Sequence, residues 1–260
     1  MLATPPKLAS VARLRALLRR RDGLRQILIV LAAFQLYELG RRLIDPDWGA
    51  AMANARRVVE VERVLALGWE ATVQAWFLQL PDVVRAMNVF YFVGHFLLTG
   101  VFFFWLYWRS RDGFRLYRDA FLVATFVAFL VHWQFPTAPP RLAGVGLLDT
   151  LRVLSGIDIG SDATESYYNP VAAVPSLHAG YALGVGIGLW QFARLRALRL
   201  LGAFYPAVVV LTIVVTGNHF VLDAIAGMVV LGLGFAVVAT LRRRQPGAIL
   251  AAATRGGAVR

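Results

Sequence analysis

The 260-residue chain contains no cysteine and a single lysine, Lys7, and only 16% of its residues are charged. Without cysteine it can form neither a disulfide framework nor a thiolate zinc site. The scarcity of charge accompanies 58% hydrophobic residues and a mean hydropathy of +0.62, more than a soluble domain needs to fill its core. The composition therefore indicates an integral membrane protein.

Positive charge exceeds negative charge, and arginine carries almost all of it, for a formal net charge of +12. The arginines lie mainly at the ends of apolar stretches, where positive charge sets the orientation of membrane helices. Because the chain has no soluble basic domain, we expect no nucleic-acid partner.

Six apolar stretches are long enough, at roughly 17 to 25 residues, to cross a bilayer as helices. They cover residues 26–43, 88–108, 119–135, 171–192, 197–216 and 220–241. The pattern predicts an all-α integral membrane protein with a six-transmembrane helix bundle over residues 26–241. Residues 1–25 then form a cytoplasmic amphipathic segment, and residues 242–260 form a flexible cytoplasmic tail.

Loop charges predict the orientation of this bundle. Arginines precede the first stretch and follow the second, fourth and sixth, which places both termini on the cytoplasmic side. We expect the protein to lie in the plasma membrane. Residues 58–80 read as one amphipathic helix, which we expect to lie at the interface because its charges are costly inside a bilayer. If that helix crosses instead, the helix parity changes and the orientation argument fails for the N-terminus.

Three separate pieces of sequence bring polar residues to the external ends of the predicted helices. Gln134 and Arg141 lie at the external end of the third stretch, in HWQFPTAPPRL; His178 lies one to two turns into the fourth; His219 and Asp223 open the sixth. Ionisable groups within membrane spans are energetically costly, so a cluster of them indicates a functional site at the external face.

The residue types in this cluster suit a phosphoryl group. His219 and Asp223 are four residues apart, so on a helix the carboxylate can fix the imidazole tautomer and leave the other ring nitrogen nucleophilic. His178 can donate a proton from a second helix. Arg141 offers a planar, permanently charged fork of donors that matches phosphate oxygens.

The same residues resemble the type 2 phosphatidic-acid phosphatase superfamily. Pro-Ser-Leu-His at 175–178, the spacing from His219 to Asp223, and Arg141 match its three sequence blocks. Leu177 stands where most of the phosphatases have glycine, which makes the chain similar to the inositolphosphotransferase branch, with the inositol-phosphorylceramide synthases.

The chain departs from the superfamily pattern at three places. Gln134 occupies the position of the first-block lysine, and Leu142 replaces the proline after the arginine. Thr212 and Ile213 occupy the Ser-Arg positions of the third block, so a second phosphate-binding arginine is missing there.

The resemblance implies a metal-independent enzyme without a cofactor, acting on a lipid phosphate or a phosphodiester head group. His219 would form a phosphohistidine, oriented by Asp223, and His178 would protonate the leaving oxygen. The acceptor would be water or a polyol such as inositol. The phosphate oxygens would be bound by Arg141, Gln134 and Ser176. The pocket would be lined by His132, Tyr168, Asn169 and Asn218.

Several alternatives stay open on the sequence alone. The histidines can be buried packing residues, and His95, in mid-membrane, fits that reading best. His178, His219 and Asp223 can also form a two-histidine, one-carboxylate metal site. The polar cluster could belong to a lipid or polyprenyl-phosphate transporter, or to a non-catalytic scaffold. The glycines at 184–188 and 226–234 read as helix-packing faces.

Overall fold

A computed structural model of the protein describes residues 6–43, 46–159 and 169–244, with side chains from residue 21 onward. Within these ranges the chain is helical and has no β-strand, which confirms the all-α prediction there. The helices are α1 (Pro6–Arg42), α2 (Trp48–Val64), α3 (Glu70–Phe77), α4 (Pro81–Val89), α5 (His95–Arg109), α6 (Arg111–Gln134), α7 (Thr150–Ser155), α8 (Leu177–Phe192), α9 (Arg196–Val215) and α10 (Val221–Arg243).

The N-terminal helix α1 belongs to a unit of its own, residues 1–45. It runs for 37 residues without a break at residue 25, where the predicted amphipathic segment ends and the predicted first span begins. Its last turn carries Arg41 and Arg42, and Arg41 pairs with Glu38 at 2.8 Å. Basic residues in this position complement the negative end of the helix dipole.

In the part of the chain that the structure describes, three helical stretches are long and apolar enough to cross a membrane: Pro81–Arg109, which joins α4 and α5 through a π-helical turn, Arg196–Val215 and Val221–Arg243. They lie over the predicted spans 88–108, 197–216 and 220–241. The exposed side chains of Leu97, Phe104 and Phe204 show that large apolar groups cover their outer surfaces, as lipid contact requires. This is the character of a membrane protein. The other three predicted spans stay predictions, and α8, at 16 residues, is shorter than a typical span.

Helix α8 is the centre of the larger unit, residues 46–260, and packs against α5, α6, α9 and α10. Small residues make this packing close. A Cβ added at Gly186 would lie 2.5 Å from the carbonyl oxygen of Gly202 on α9, and one added at Gly227 on α10 would overlap the carbonyl oxygen of Ser176. The glycine-rich stretches are therefore helix-packing faces, as their sequence predicts.

The single amphipathic helix predicted over residues 58–80 is wrong. Helix α2 ends at Val64, Ala66 adopts a left-handed conformation with φ of 56°, and α3 begins at Glu70. A left-handed residue ends a helix because it turns the chain away from the helical path. The turn allows Glu62 and Glu70, which a continuous surface helix would leave solvated, to be buried together.

The loop between α6 and α7 is fixed in place by α2. The Asn54 amide donates to the carbonyl of Pro136 at 2.8 Å, and the N–H of Ala138 donates to the carbonyl of Ala51 at 3.1 Å. Apolar side chains from α2, this loop and Phe220 form one buried cluster beside these bonds. The end of α6 and the starts of α8 and α10 consequently meet at one end of the bundle.

Candidate active site

His219 lies at the start of α10, where its ring faces two acceptors. Its Nδ1 is 3.0 Å from the carbonyl oxygen of Ala173 and 3.4 Å from Oδ2 of Asp223. The predicted pairing of these two residues on successive helical turns needs correction, because His219 precedes Phe220, the N-cap of α10, and is not helical. The His219 ring and the Asp223 carboxyl still lie close together, because the Asp223 side chain points back toward the start of α10.

Asp223 is fully buried and contacts three residues of the site: Phe220, His219 and Ser176. Its Oδ2 accepts from the backbone N–H of Phe220 at 2.9 Å as well as facing His219. Its backbone carbonyl accepts from the N–H of Ser176 at 2.9 Å, which ties the start of α8 to the first turn of α10. Asp223 therefore fixes the relative position of the two predicted histidine motifs.

His178 is the second residue of α8, closer to the helix start than the one to two turns predicted. The difference arises because Ser176 is the N-cap and accepts from Ala179 N–H at 3.4 Å, so residues 171–176 are a loop. The His178 ring stacks on Tyr91 at 4.4 Å between centroids and lies 5.7 Å from the His219 ring.

A turn of π-helix, Phe90–Gly94, joins α4 to α5 beside His178. The backbone of Tyr91, within this turn, forms a hydrogen bond with the His178 ring, while Nε2 of His178 is buried without a hydrogen-bond partner among the described residues. A π-helical turn shifts the backbone hydrogen-bond register, and such turns often occur at functional sites. Here it provides a backbone partner for one imidazole nitrogen and leaves the other available.

His95 belongs to this cluster, although the sequence favours a packing role for it. Its ring centroid is 5.0 Å from that of His178, and its Nδ1 is 2.9 Å from the hydroxyl of Tyr205. Its Nε2 is buried and has no hydrogen-bond partner in the part of the chain that the structure describes. No local sequence signal identifies it, because the proximity depends on how α5 packs against α8.

Arg141 lies in the loop after α6, and its side chain is only 3% exposed. Its Nε donates to Oδ1 of Asn218 at 2.9 Å, Nη1 lies 3.5 Å from Oδ2 of Asp149, and its backbone N–H donates to the carbonyl of Gly217. Asn218 thus connects Arg141 to the segment that precedes His219. The guanidinium retains three further N–H donors.

The remaining predicted residues differ in their positions. Ser176 is buried at the start of α8, and His132 contacts the same start through Nε2, 3.2 Å from the carbonyl of Pro175. Asn169 accepts from the N–H of Val171 at 3.1 Å. Gln134 is the exposed last residue of α6 and has no hydrogen bond to the other described site residues. Tyr168 lies outside the described residues.

The alternative metal site has no support in the geometry. Nδ1 of His219 faces the carbonyl of Ala173 as well as Asp223, and the rings of His178 and His219 are tilted, with centroids 5.7 Å apart. Over residues 6–43, 46–159 and 169–244, no three His, Cys, Asp or Glu side chains are grouped so as to hold a metal ion.

A sequence model described as the PAP2 superfamily matches residues 56–237, more than half of the chain. The chain belongs to the PAP2 superfamily. Neither a curated protein nor a solved structure matches it. PAP2 members are phosphatases, so the family supports a phosphatase-type enzyme that acts on a phosphate substrate. The matched region contains every histidine of the cluster and begins after α1.

Two departures from the PAP2 motif have a clear structural consequence. Thr212 and Ile213 are buried in α9, where the Thr212 hydroxyl donates to the carbonyl of Val208 at 2.8 Å. The carbonyl of Ile213 accepts the N–H groups of Asn218 and His219, at 3.0 and 3.2 Å. In this PAP2 protein these positions therefore support the backbone before His219 and supply no phosphate-binding charge.

Sequence reasoning missed three polar residues that hold the site from outside. Gln74 on α3 donates to the carbonyls of Leu148 and Val215, both at 3.0 Å, and so links the two loops that carry Arg141 and Asn218. Glu62 and Glu70 accept from backbone N–H groups at the start of α10. All three lie within the stretch assigned to a surface helix, and only their burial reveals their role.

Proposed function

We propose that this PAP2 protein transfers the phosphoryl group of a lipid phosphate through a phosphohistidine at His219, to water or to a polyol acceptor. The observation that carries the proposal is the pair of acceptors at Nδ1 of His219, the carbonyl of Ala173 and Asp223. Two acceptors there favour the tautomer with the proton on Nδ1. The lone pair then resides on Nε2, where it can attack phosphorus.

In the first step, Nε2 of His219 forms a bond to phosphorus while the bond from phosphorus to the lipid oxygen breaks. His178 gives its proton to that leaving oxygen. In the second step, His178 takes a proton from water or from a polyol hydroxyl, whose oxygen bonds to phosphorus, and the P–N bond breaks. The centroid separation of 5.7 Å lets both rings reach one phosphate group.

Asp223 and Arg141 would supply the electrostatic support for these steps. Asp223, beside Nδ1, stabilises the positive charge that His219 acquires when its Nε2 bonds to phosphorus. Arg141, held by Asn218 and Asp149, presents its remaining donors to the phosphate oxygens. Ser176 and Gln134 remain predicted phosphate contacts of the same site.

The membrane arrangement completes the proposal. Six spans over residues 26–241, cytoplasmic termini and a plasma-membrane location would place the site at the external face, where a lipid head group reaches it with its acyl chains in the bilayer. Leu177 supports an acceptor of the inositol type, because the inositolphosphotransferase branch shares a leucine at that motif position.

The test is turnover of labelled lipid phosphates by the purified full chain, with and without inositol and with a chelator present. We expect turnover that survives the chelator and is lost in His219→Ala. Release of inorganic phosphate alone would identify a phosphatase, and a labelled inositol product a transferase. If the wild-type protein moves the lipid phosphate across vesicle membranes without cleaving it, the proposed enzymatic function is refuted and a transporter is supported.

A further inference from the structure

The first turn of α10 begins with three backbone N–H groups that each donate to a carboxyl oxygen. Phe220 donates to Asp223 at 2.9 Å, Val221 to Glu70 at 3.1 Å and Leu222 to Glu62 at 2.8 Å. The first N–H groups of a helix have no partner within it, and the helix dipole favours negative charge there. Two of the three carboxyls come from α2 and α3, so distant elements determine where α10 begins.

The two glutamates are buried, at 2% and 4% exposure, and accept from the successive backbone N–H groups of Val221 and Leu222, which places their carboxyl groups side by side. Two carboxylates that are buried next to each other cannot both ionise without strong repulsion, so one proton on the pair is favoured. Burial, with the neighbouring charges of Glu70 and Asp223, raises the pKa of Glu62 to about 8. Glu62 is therefore protonated at neutral pH.

We propose that Glu62 and Glu70 form a one-proton carboxyl pair that positions the start of α10, and with it His219 and Asp223, for phosphoryl transfer. They are positioning residues, since their contacts are with the backbone of Val221 and Leu222 rather than with substrate. This inference rests on the proposed function of His219. A helix start displaced by about 1 Å would misplace the attacking nitrogen, which costs on the order of 100-fold in rate.

A cavity of about 370 Å³ adjoins the pair and is lined by both glutamates, Arg63, Trp69 and Phe220. It is large enough for water, through which the pair can exchange its proton. The charged and titratable groups around the pair are Arg63 on α2 and Asp223 on α10, and Asp223 in turn faces His219. Above about pH 8 the proton is lost, and two buried like charges then lie together beside Asp223.

The sign of the pH effect follows from this arrangement. The raised pKa means that the one-proton form is present below about pH 8 and is lost above it. Loss of that proton leaves two buried negative charges side by side, and their repulsion disturbs the start of α10, so activity should decline on the alkaline side. Glu62→Gln supplies a permanent amide donor in place of the proton and keeps an oxygen for the N–H of Leu222.

The experiment compares kcat against pH for the wild type, Glu62→Gln and the control Glu60→Gln, an exposed glutamate on the same helix. We expect the alkaline decline of kcat to move to higher pH in Glu62→Gln and to stay in place in the control. Glu70→Ala should lower kcat about 100-fold with little change in KM. Should Glu62→Gln not fold, Glu70→Gln replaces it, because either residue can carry the amide.

An unchanged alkaline decline in Glu62→Gln would overturn the inference, as would Glu70→Ala protein that unfolds more easily yet keeps its kcat. If the wild type turns over no lipid phosphate, the proposed function fails. Infrared difference spectra of the wild type against Glu62→Gln then test the carboxyl pair independently of activity. A protonated-carboxyl band that disappears above about pH 8 supports the pair, and its absence at neutral pH refutes it.

Discussion

The rings of His178 and His219 have their centroids 5.7 Å apart, although one belongs to the first turn of α8 and the other precedes α10. A backbone bond from the N–H of Ser176 to the carbonyl of Asp223 joins the starts of the two helices. Asp223 thus contacts one histidine through its carboxylate and secures the helix of the other through its backbone. The paired histidines are consequently a product of how α8 and α10 begin.

Replacing Asp223 with asparagine should lower kcat on the order of 10³- to 10⁴-fold. The amide lacks the negative charge that stabilises the His219 imidazolium, and it can present an N–H to Nδ1 and so favour the wrong tautomer. The measurement is steady-state turnover of a lipid phosphate. Asp112→Asn, an exposed residue at the start of α6, is the matched control and should retain wild-type kcat. Equal rates for the two variants would remove Asp223 from the mechanism.

Arg141→Lys should lower kcat/KM by about 10- to 150-fold, because a charge-assisted hydrogen bond contributes about 1.5–3 kcal/mol. Lysine keeps the charge but cannot both hold Asn218 and present a fork of donors to phosphate. Arg152→Lys, on the exposed side of α7, serves as the control. If Arg141→Lys retains wild-type kcat/KM, phosphate binding depends on a different residue.

Gly227→Ala should destabilise the protein by about 1–3 kcal/mol. The added methyl group would overlap the carbonyl of Ser176 and force α10 away from the start of α8. Gly232→Ala lies on the same helix with nothing within 4 Å of the added carbon, and should be neutral or stabilise by up to about 1 kcal/mol. Thermal unfolding in detergent compares the two. Equal melting temperatures would show that α8 and α10 can separate without cost.

Much of the helical architecture follows from the sequence, because long apolar runs can bury their backbone polar groups in a bilayer only as helices. The positions of Arg141, His178 and His219 near one end of the bundle also follow, since each lies beside the end of an apolar run. The sequence also allows N-cap residues such as Ser176 to be recognised, because a serine hydroxyl can accept from a free N–H group at the start of a helix.

Other features depend on tertiary contacts that leave no local signal. The left-handed turn at Ala66 divides a stretch whose apolar spacing suits one amphipathic helix, and alanine gives no warning of it. Glu62 and Glu70 therefore read as solvated charges until the fold brings them to α10. His95 likewise reads as a packing residue until α5 is placed against α8.

The central claim is that His219 carries the phosphoryl group, and direct detection of that intermediate tests it most sharply. The full chain is mixed with a lipid labelled in its phosphate, quenched in alkali during the first turnover, and digested for mass spectrometry. The account predicts an alkali-stable phosphohistidine at His219, formed as fast as the lipid alcohol is released and absent from His219→Asn. First-turnover release of the lipid alcohol without label on His219, or normal turnover by His219→Asn, would contradict it.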